Sequence, residues 1–514
     1  MSAPRDSATL AECLPALAGR RVLVLGDVML DLFVNGTVAR VSPEAPVPVL
    51  RVGETTAMLG GAGNVLRNLA ALGCEGRLIA AVGDDAEGVR VGDLVAEAGA
   101  SAEGLIPLPA RPTTVKTRYL AGAQQLLRSD VEDTRPLPDA ARRALVSALR
   151  AALPDADVLV ISDYGKGVLD PPTLAEVLAA ANAAGVPAVV DPKGTAYGRY
   201  RGARVVTPNQ GELAAATGLP TGADAEAETA ARALADEIGA SPGEGAGDKG
   251  AGNASGDGAG DAGRPAILAT RGPRGMTLVD GDAPAHHLPA AAREVFDVSG
   301  AGDTVVAVLA AGLAGGLPLA DAARLANAAA GLVVGKVGTA TVRPDELAAA
   351  LHAERRRAAD DKVASTARAT EQAAIWRRAG LCVGFTNGCF DLLHPGHIHL
   401  LRQARAACDR LIVGLNADES VRRLKGPDRP VQDETARATV LASLASVDLV
   451  VLFDADTPYD LIAAVTPDVL VKGADYSRDA VVGADLVAAR GGRVVLADLA
   501  DGHSTTRTLD RLRG

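Results

Sequence analysis

Two short stretches carry residues able to do chemistry on phosphates: Ser299-Gly300-Ala301-Gly302-Asp303-Thr304, and TNGCFDLLHPGH from Thr386 to His397. In the first, glycines let backbone N–H groups approach an anion closely. The helical pattern that follows puts the positive end of a helix dipole at the same spot. Negative charge developing on a transferred phosphoryl group would be stabilised there, and Asp303 would be fixed where it can accept a proton from an attacking hydroxyl. A glycine-rich turn with an Asp favouring the helix dipole is the plainer alternative, and the hexapeptide alone leaves both open. In the second stretch a strand-like run closes at Thr386 and Asn387, and His394-Pro395-Gly396-His397 opens a helix. Imidazoles three residues apart share one helical face, and Gly396 leaves room for a nucleotide at the helix start. Zinc is the competing use of paired histidines, but the spacing is not HExxH and no carboxylate or cysteine cluster completes a ligand set.

Positioning such groups requires strand ends and helix starts. From Arg21, RVLVLGDVMLD reads as a buried strand ending in a loop, and ADVLVISD, PAVVDPKG, ARVVTPN and PAILATRG repeat the pattern with helical Ala/Leu stretches between them. Alternating strands and helices predict a mostly parallel sheet covered on both faces, with ligands at the carboxyl ends of its strands. Asp27, Asp163, Asp191, Asn209 and Thr270 fall at such ends. A charged, Ala-rich change of composition from His352 to about Thr370 marks a boundary, after which LCVGFTNGCFD, DRLIVGLNAD, DLVVLFD, PDVLVKG and GRVVLAD form a second, shorter α/β series. The expected division is 1–351, a linker 352–380, and 381–514, with no solenoid-type repeat.

Length and composition narrow the classes. A chain of 514 residues holds two large domains with full cores. With 63 acidic and 52 basic residues the net charge is -11, against general affinity for nucleic acid or anionic membranes. Five scattered cysteines, Cys13, Cys74, Cys382, Cys389 and Cys408, suit neither a disulfide framework nor a zinc site. With no apolar export segment near the N-terminus, a cytoplasmic location is expected. The 17 uncharged residues Thr304 to Ala320 read as a buried helix rather than a membrane span. Between 241 and 263, nine glycines and no large apolar residue predict a disordered surface loop rather than a phosphate cradle, since no GK[ST] follows.

Leu59-Gly60-Gly61-Ala62-Gly63-Asn64 and Thr207-Pro208-Asn209-Gln210-Gly211-Glu212 join SGAGDT to make a set that resembles the ribokinase-like sugar kinases over roughly residues 10 to 350. That resemblance implies a three-layer α/β/α domain with a small β lid, and Asp303 as catalytic base with Gly300, Ala301 and Gly302 at the phosphates. It also implies that Asn209, Gln210, Gly211 and Glu212 serve ATP, Glu212 reaching Mg²⁺ indirectly, and that Gly60, Gly61 and Asn64 contact the sugar. GDVMLD, VSPEAPVPV, SDYGKGVL and DPKGTAYGRYRGA look like the kinase half of the bacterial bifunctional heptose 7-phosphate kinase and heptose 1-phosphate adenylyltransferase family. A phosphosugar needs cations, for which Lys116, Arg118, Lys166 and Lys193 are candidates beside plain surface roles. Asp31 and Asp163 are candidates for sugar hydroxyls, Thr270, Arg271 and Gly272 for the ATP phosphates, and Asn327 for adenine. Gly63, where Ala is commoner, and the 241–263 run depart from the family pattern.

From about Leu381 to the end the chain resembles the HxGH nucleotidyltransferases, a Rossmann-like α/β fold. His394 and His397 would then stabilise the transition state, with Thr386, Asn387, Lys425, Ser504, Thr505 and Thr506 at the triphosphate. A sugar 1-phosphate is already an anionic nucleophile, so this half needs charge stabilisation rather than a base, and the histidines are expected as cationic or hydrogen-bonding donors. The resemblance implies ATP and Mg²⁺ as cofactors, heptose 7-phosphate and heptose 1-phosphate as substrates, a separate phosphatase between the two steps, and a homodimer. The rivals are a fused sugar kinase and nucleotidyltransferase for another sugar phosphate or CTP, and a chain in which one half is only an ATP-binding or dimerisation module. Coupled assays over a panel of sugar phosphates and nucleotides separate the first, and loss of one activity on Asp303→Asn separates the second.

Overall fold

A computed structural model describes residues 7–122, 124–240, 264–291, 297–336, 338–474, 477 and 480–498. The glycine run 241–263 and the Ser504-Thr505-Thr506 triplet lie outside the described residues. The chain divides into two compact units, Met1–His352 and Ala353–Gly514.

In the first unit, short runs of Val, Ile and Leu form strands buried on both faces, as parallel sheets require. Val158–Ser162 is buried at every position, and Arg21–Gly26 at all but its first. Among the described residues the sheet has nine strands, in the spatial order His286–Leu288, Met276–Val279, Ala266–Thr270, Val205–Val206, Ala188–Asp191, Val158–Ser162, Arg21–Gly26, Glu75–Gly83 and Leu105–Leu108. All pairings are parallel except the two that involve Met276–Val279. Helices Ala62–Ala71, Ala301–Ala314 and Leu319–Val333 pack into one apolar cluster, and Asp139–Ala152, Pro171–Ala183 and Asp224–Gly239 into the other. These two cores lie between the sheet and the helices on its two sides, the arrangement of a three-layer sandwich.

The uncharged stretch from Thr304 is a core helix: Ala301–Ala314 is apolar all round, buried from Asp303 to Gly312, and stops at Gly315. Among the described residues no helix is long and apolar enough to cross a membrane.

The chain leaves the central strand at Gly26, passes Asp27, and continues directly as strand Val28–Val41 of a second sheet. This four-stranded lid has the order Pro48–Gly61, Val28–Val41, Val115–Ala121, Gln124–Val131.

The second unit is built alike: six strands ordered Val363–Ala364, Leu449–Phe453, Arg410–Asn416, Val383–Gly388, Val469–Gly473 and Arg493–Ala497 among the described residues, all parallel. The stretch expected as a linker is structured in part. Val363–Ala364 adds an edge strand to this sheet, and helix Thr366–Arg378 buries Ala369 and Ala373 against Val383 and Phe385. Alanines four apart gave this helix an apolar seam too narrow to stand out in a charged segment.

Candidate active sites

Asp303 sits in the first turn of Ala301–Ala314, where the cap residue Gly300 has φ +77°. Its carboxylate is 4% exposed and held at both oxygens: Asn64 Nδ2 donates to Oδ2 and the Tyr164 hydroxyl to Oδ1, each at 2.8 Å. Burial pushes the group up to about 6, against the lowering effect of those two donors. A Cβ on Gly300 would lie 2.7 Å from Asn64 Nδ2, so the glycine makes room for the contact. Gly302 differs: a Cβ there would meet nothing within 4 Å. Packing therefore gives no reason for glycine at 302, whereas a phosphate approaching the helix start would.

Around Gly302 opens a pocket lined also by Asp163, Tyr164, Asp191, Lys193, Asn209, Glu212 and Thr270. Asp163, Asp191, Asn209 and Thr270 come from the carboxyl ends of neighbouring parallel strands, the position expected from the sequence. Asp191 has its proton affinity raised well above the usual carboxylate range, by burial first and then by Asp303, Glu212 and Asp163. The pocket wall is thus carboxylate-rich, suited to a nucleotide that brings its own cation.

Several candidate residues already have partners. Asn209 and Glu212 form a capping box, Glu212 N–H donating to Asn209 Oδ1 at 2.9 Å and Asn209 N–H to Glu212 Oε2 at 3.1 Å. Gln210 donates to Thr221 O at 3.1 Å and Asn327 to Pro289 O at 2.8 Å. Gly211 lies in the first turn of helix Gln210–Thr217, and Gly272, with φ +56°, opens the turn Gly272–Arg274 after Thr270. Arg271, 2% exposed, ties that turn to Asp224 at 2.5 Å and Gly222 O at 2.9 Å. Asp163 accepts from Tyr200 OH at 2.8 Å, Arg199 at 2.7 Å and Gly165 N–H at 2.8 Å. Asn64, expected at the sugar, spends its amide on Asp303. Asp31 pairs with Arg118 at 2.7 Å, and Gly60 has no room for a side chain because its Cβ would lie 2.3 Å from Asp31 Oδ2. Gly61, at φ +57°, passes equally close to Asp27 O.

The four candidate cations each face a carboxylate. Lys116 meets Asp130 at 2.9 Å and Glu132 at 3.6 Å, Lys166 meets Glu132 at 2.6 Å, and Lys193 meets Glu212 at 3.2 Å. Lys116 and Lys166 thus converge on one carboxylate from two different segments, a geometry a phosphate dianion could also satisfy.

In the second unit His394 caps helix Pro395–Ala406 and His397 lies in its first turn. Their rings stack with centroids 3.8 Å apart and planes at 17°, and Phe390 covers His397 with centroids at 5.1 Å. Phe390 holds φ 44°, a left-handed conformation costly for a bulky side chain and concentrated at functional sites. Burial, then the neighbouring His394, pushes His397 down to about 4, so it is a neutral imidazole that can donate or accept but carries no charge. At the end of strand Val383–Gly388, the buried Thr386 hydroxyl and Asn387 Oδ1 have no hydrogen-bond partner among the described residues. Unmet polar atoms of this kind fit a site that a ligand completes. Lys425 is exposed at the end of helix Asp418–Lys425.

Sequence reasoning missed several groups. Tyr164 was within reach: aromatic residues are 2% of this chain, and one beside Asp163 in SDYGKG is conspicuous. Asp391 was within TNGCFDLLHPGH; it pairs with Arg429 and accepts from Val431 N–H at 2.7 Å, tying down the loop after Lys425. Arg437, 1% exposed, bonds Cys389 O at 2.7 Å, Asn416 O at 2.8 Å and Asp418 at 2.6 Å, and no local signal marks an arginine for the core.

A doubly covered sheet with a lid and a buried aspartate at a glycine-rich helix start, followed by a parallel sheet with a stacked histidine pair, defines a sugar kinase joined to a nucleotidyltransferase. Residues 20–241 and 247–346 match the pfkB family of carbohydrate kinases, and residues 385–497 the cytidylyltransferase-like family. Phosphofructokinase-2 from Escherichia coli shares the fold of the first unit, with TM-score 0.51 and 20% identity over 65% of this chain and 99% of that one. The bifunctional protein HldE of Rhodospirillum rubrum is 55% identical over 98% of this chain and 97% of its own length. That of Caulobacter vibrioides is 54% identical over 98% and 99%. The chain belongs to the family of bifunctional HldE proteins.

Proposed function

We propose that the two units carry out two steps of ADP-heptose synthesis. The first unit transfers the γ-phosphoryl group of ATP to O1 of D-glycero-β-D-manno-heptose 7-phosphate. The bond from O1 to the γ-phosphorus forms, the bond to the bridging oxygen of ADP breaks, and Asp303 takes the O1 proton. Backbone N–H groups at Gly300, Ala301 and Gly302 face the phosphoryl oxygens at the helix start. Mg²⁺ would supply charge neutralisation of the nucleotide phosphates, with Glu212 as the residue that would meet it indirectly. Lys116, Lys166 and Arg118 hold the sugar's 7-phosphate and hydroxyls, with Asp31, Gly60 and Gly61 beside them. Thr270, Gly272 and Asn327 serve the nucleotide.

In the second unit an oxygen of heptose 1-phosphate attacks the α-phosphorus of a second ATP and pyrophosphate leaves. His394 and His397, with Thr386 and Asn387, steady the pentavalent oxygens, and Lys425 and Ser504 to Thr506 meet the triphosphate. The 7-phosphate is removed between the steps by a separate phosphatase. The reading places the enzyme in the cytoplasm as a homodimer. Exposed Val38, Val41, Val52, Leu127 and Val131 on the lid strands give an apolar face to support such pairing.

The observation that supports the proposal is the buried Asp303, bonded to the hydroxyl of Tyr164, which lines the strand-end pocket beside the open face of Gly302. Mass spectrometry of products from ATP and heptose 7-phosphate should show heptose 1,7-bisphosphate alone, and ADP-heptose only when a phosphatase is added. No bisphosphate, or product only from another sugar phosphate or CTP, sinks the assignment.

A further inference from the structure

The two donors that grip Asp303 differ in where they stand. Asn64 is fully buried, and its own Oδ1 faces Arg67 at 3.4 Å, whose guanidinium also donates to Thr339 O at 3.1 Å. It belongs to the wall. Tyr164 lines the pocket itself, next to Gly302 and Asp191.

The tyrosine is aimed from behind. Asp27, 1% exposed, accepts from the backbone N–H of Tyr164 at 2.9 Å, of Lys166 at 3.0 Å and of Val168 at 3.3 Å. One carboxylate therefore fixes the whole 164–168 turn, and with it the direction of the phenol. The charged groups facing this phenol are Asp303 from the glycine-rich helix, Asp191 from the neighbouring strand end, and Asp31 from the lid. Asp31 also faces Asp303 and is paired with Arg118, while Lys193 and Glu212 stand beyond Asp191. Burial first, and then carboxylates on three sides, keep the proton on the phenol well above the ordinary tyrosine range. It stays protonated and donates to Asp303, so the base is the carboxylate and not the phenol.

We propose that Tyr164 is a positioning residue of phosphoryl transfer, whose hydroxyl keeps Asp303 ionised in its buried site and turns a free carboxylate lone pair toward the incoming sugar hydroxyl. The inference rests on Asp303 being the base, as set out above. A hydrogen bond to a carboxylate favours its charged form, so deleting the donor raises the pH at which the base becomes available.

The test is the pH profile of kinase kcat/KM for Tyr164→Phe in the full chain, with adenylyl transfer and melting temperature as controls for folding. The acid limb should move to higher pH by about one unit, with most of the rate regained above pH 8 and KM for ATP unchanged. Replacing Tyr164 by 3-fluorotyrosine, a stronger donor, should move the limb the opposite way, which keeps the test decisive if the phenylalanine variant folds poorly. A pH-independent loss with an unmoved limb in both proteins overturns the inference, since packing alone would give that. If instead Asp303→Asn retains kinase turnover, the base assignment itself fails, a result separable from the first.

Discussion

Asp303→Asn should abolish phosphoryl transfer and yet make the first unit more stable. In the folded protein the carboxyl group is pushed up to about 6 from its ordinary 3.8, burial being the main cause. That gap corresponds to about 3 kcal/mol by which folding disfavours the charged form at neutral pH. An asparagine fills the same space without the charge. Its amide must face one of the two existing donors with its own NH₂, but the Tyr164 hydroxyl can turn and accept, so about 1 kcal/mol is returned for a weakened bond. The net expectation is about 2 kcal/mol of stabilisation at pH 7.5, a rise on the order of 4 °C in the melting temperature. The sign with pH follows from the raised value. Asp303 binds its proton more tightly when folded, so its favourable contribution is complete below 3.8 and is lost as pH rises through about 6. The variant cannot lose it. Its advantage should be small at pH 5 and widen to a plateau above pH 7. Calorimetry of the full chain reads this, and fluorescence of the single tryptophan, Trp376, follows the second unit as an internal reference. A variant melting at or below wild type at pH 7.5, or an advantage independent of pH, would refute the claim that the base is held charged at the expense of stability.

Gly300→Ala and Gly302→Ala form a contrasting pair. At 300 the new methyl group would press on Asn64 at 2.7 Å in a left-handed backbone, so stability should drop by about 1–2 kcal/mol and kinase turnover by about tenfold or more, with adenylyl transfer intact. At 302 nothing lies within 4 Å, so folding should be unchanged while KM for ATP rises; an unaltered KM would show that no phosphate comes close there. His397, pushed down to about 4 from 6.5, stays neutral when folded but takes a proton on unfolding, so its contribution is complete above 6.5 and fades as pH falls toward 4. His397→Gln should flatten the second unit's stability over that range, read by Trp376 fluorescence; an equal slope in both proteins would contradict it. Arg437→Leu should cost about 3–5 kcal/mol in the same unit, because Asp418 and three carbonyls lose their buried partner, and a variant as stable as wild type in denaturant would exclude that role.

Strand ends and helix starts were legible because each is a local pattern: an apolar run followed by Asp or Asn, or glycines followed by an apolar helix. That sufficed to put Asp163, Asp191, Asn209, Thr270 and Gly302 around one pocket. What escaped depends on side chains far apart in sequence. Tyr164 is 139 residues from Asp303, and Asn64 is 239 from it, so neither contact leaves a trace in a window of residues. Asn64 was placed at the sugar for its amide, which can bond a hydroxyl or a carboxylate equally well. The Asn209-to-Glu212 spacing carried two meanings at once, a helix capping box and a nucleotide motif, and the first is visible in the coordinates. Val363–Ala364 was passed over because a two-residue edge strand has no periodicity to read.

Asp27 stands where the chain passes from the central core strand into the lid, and the same carboxylate fastens the turn that bears Tyr164. One carboxylate thus joins the root of the lid to the turn beneath it. A lid transplanted from a relative would have to be cut beyond Val28 to leave that joint whole.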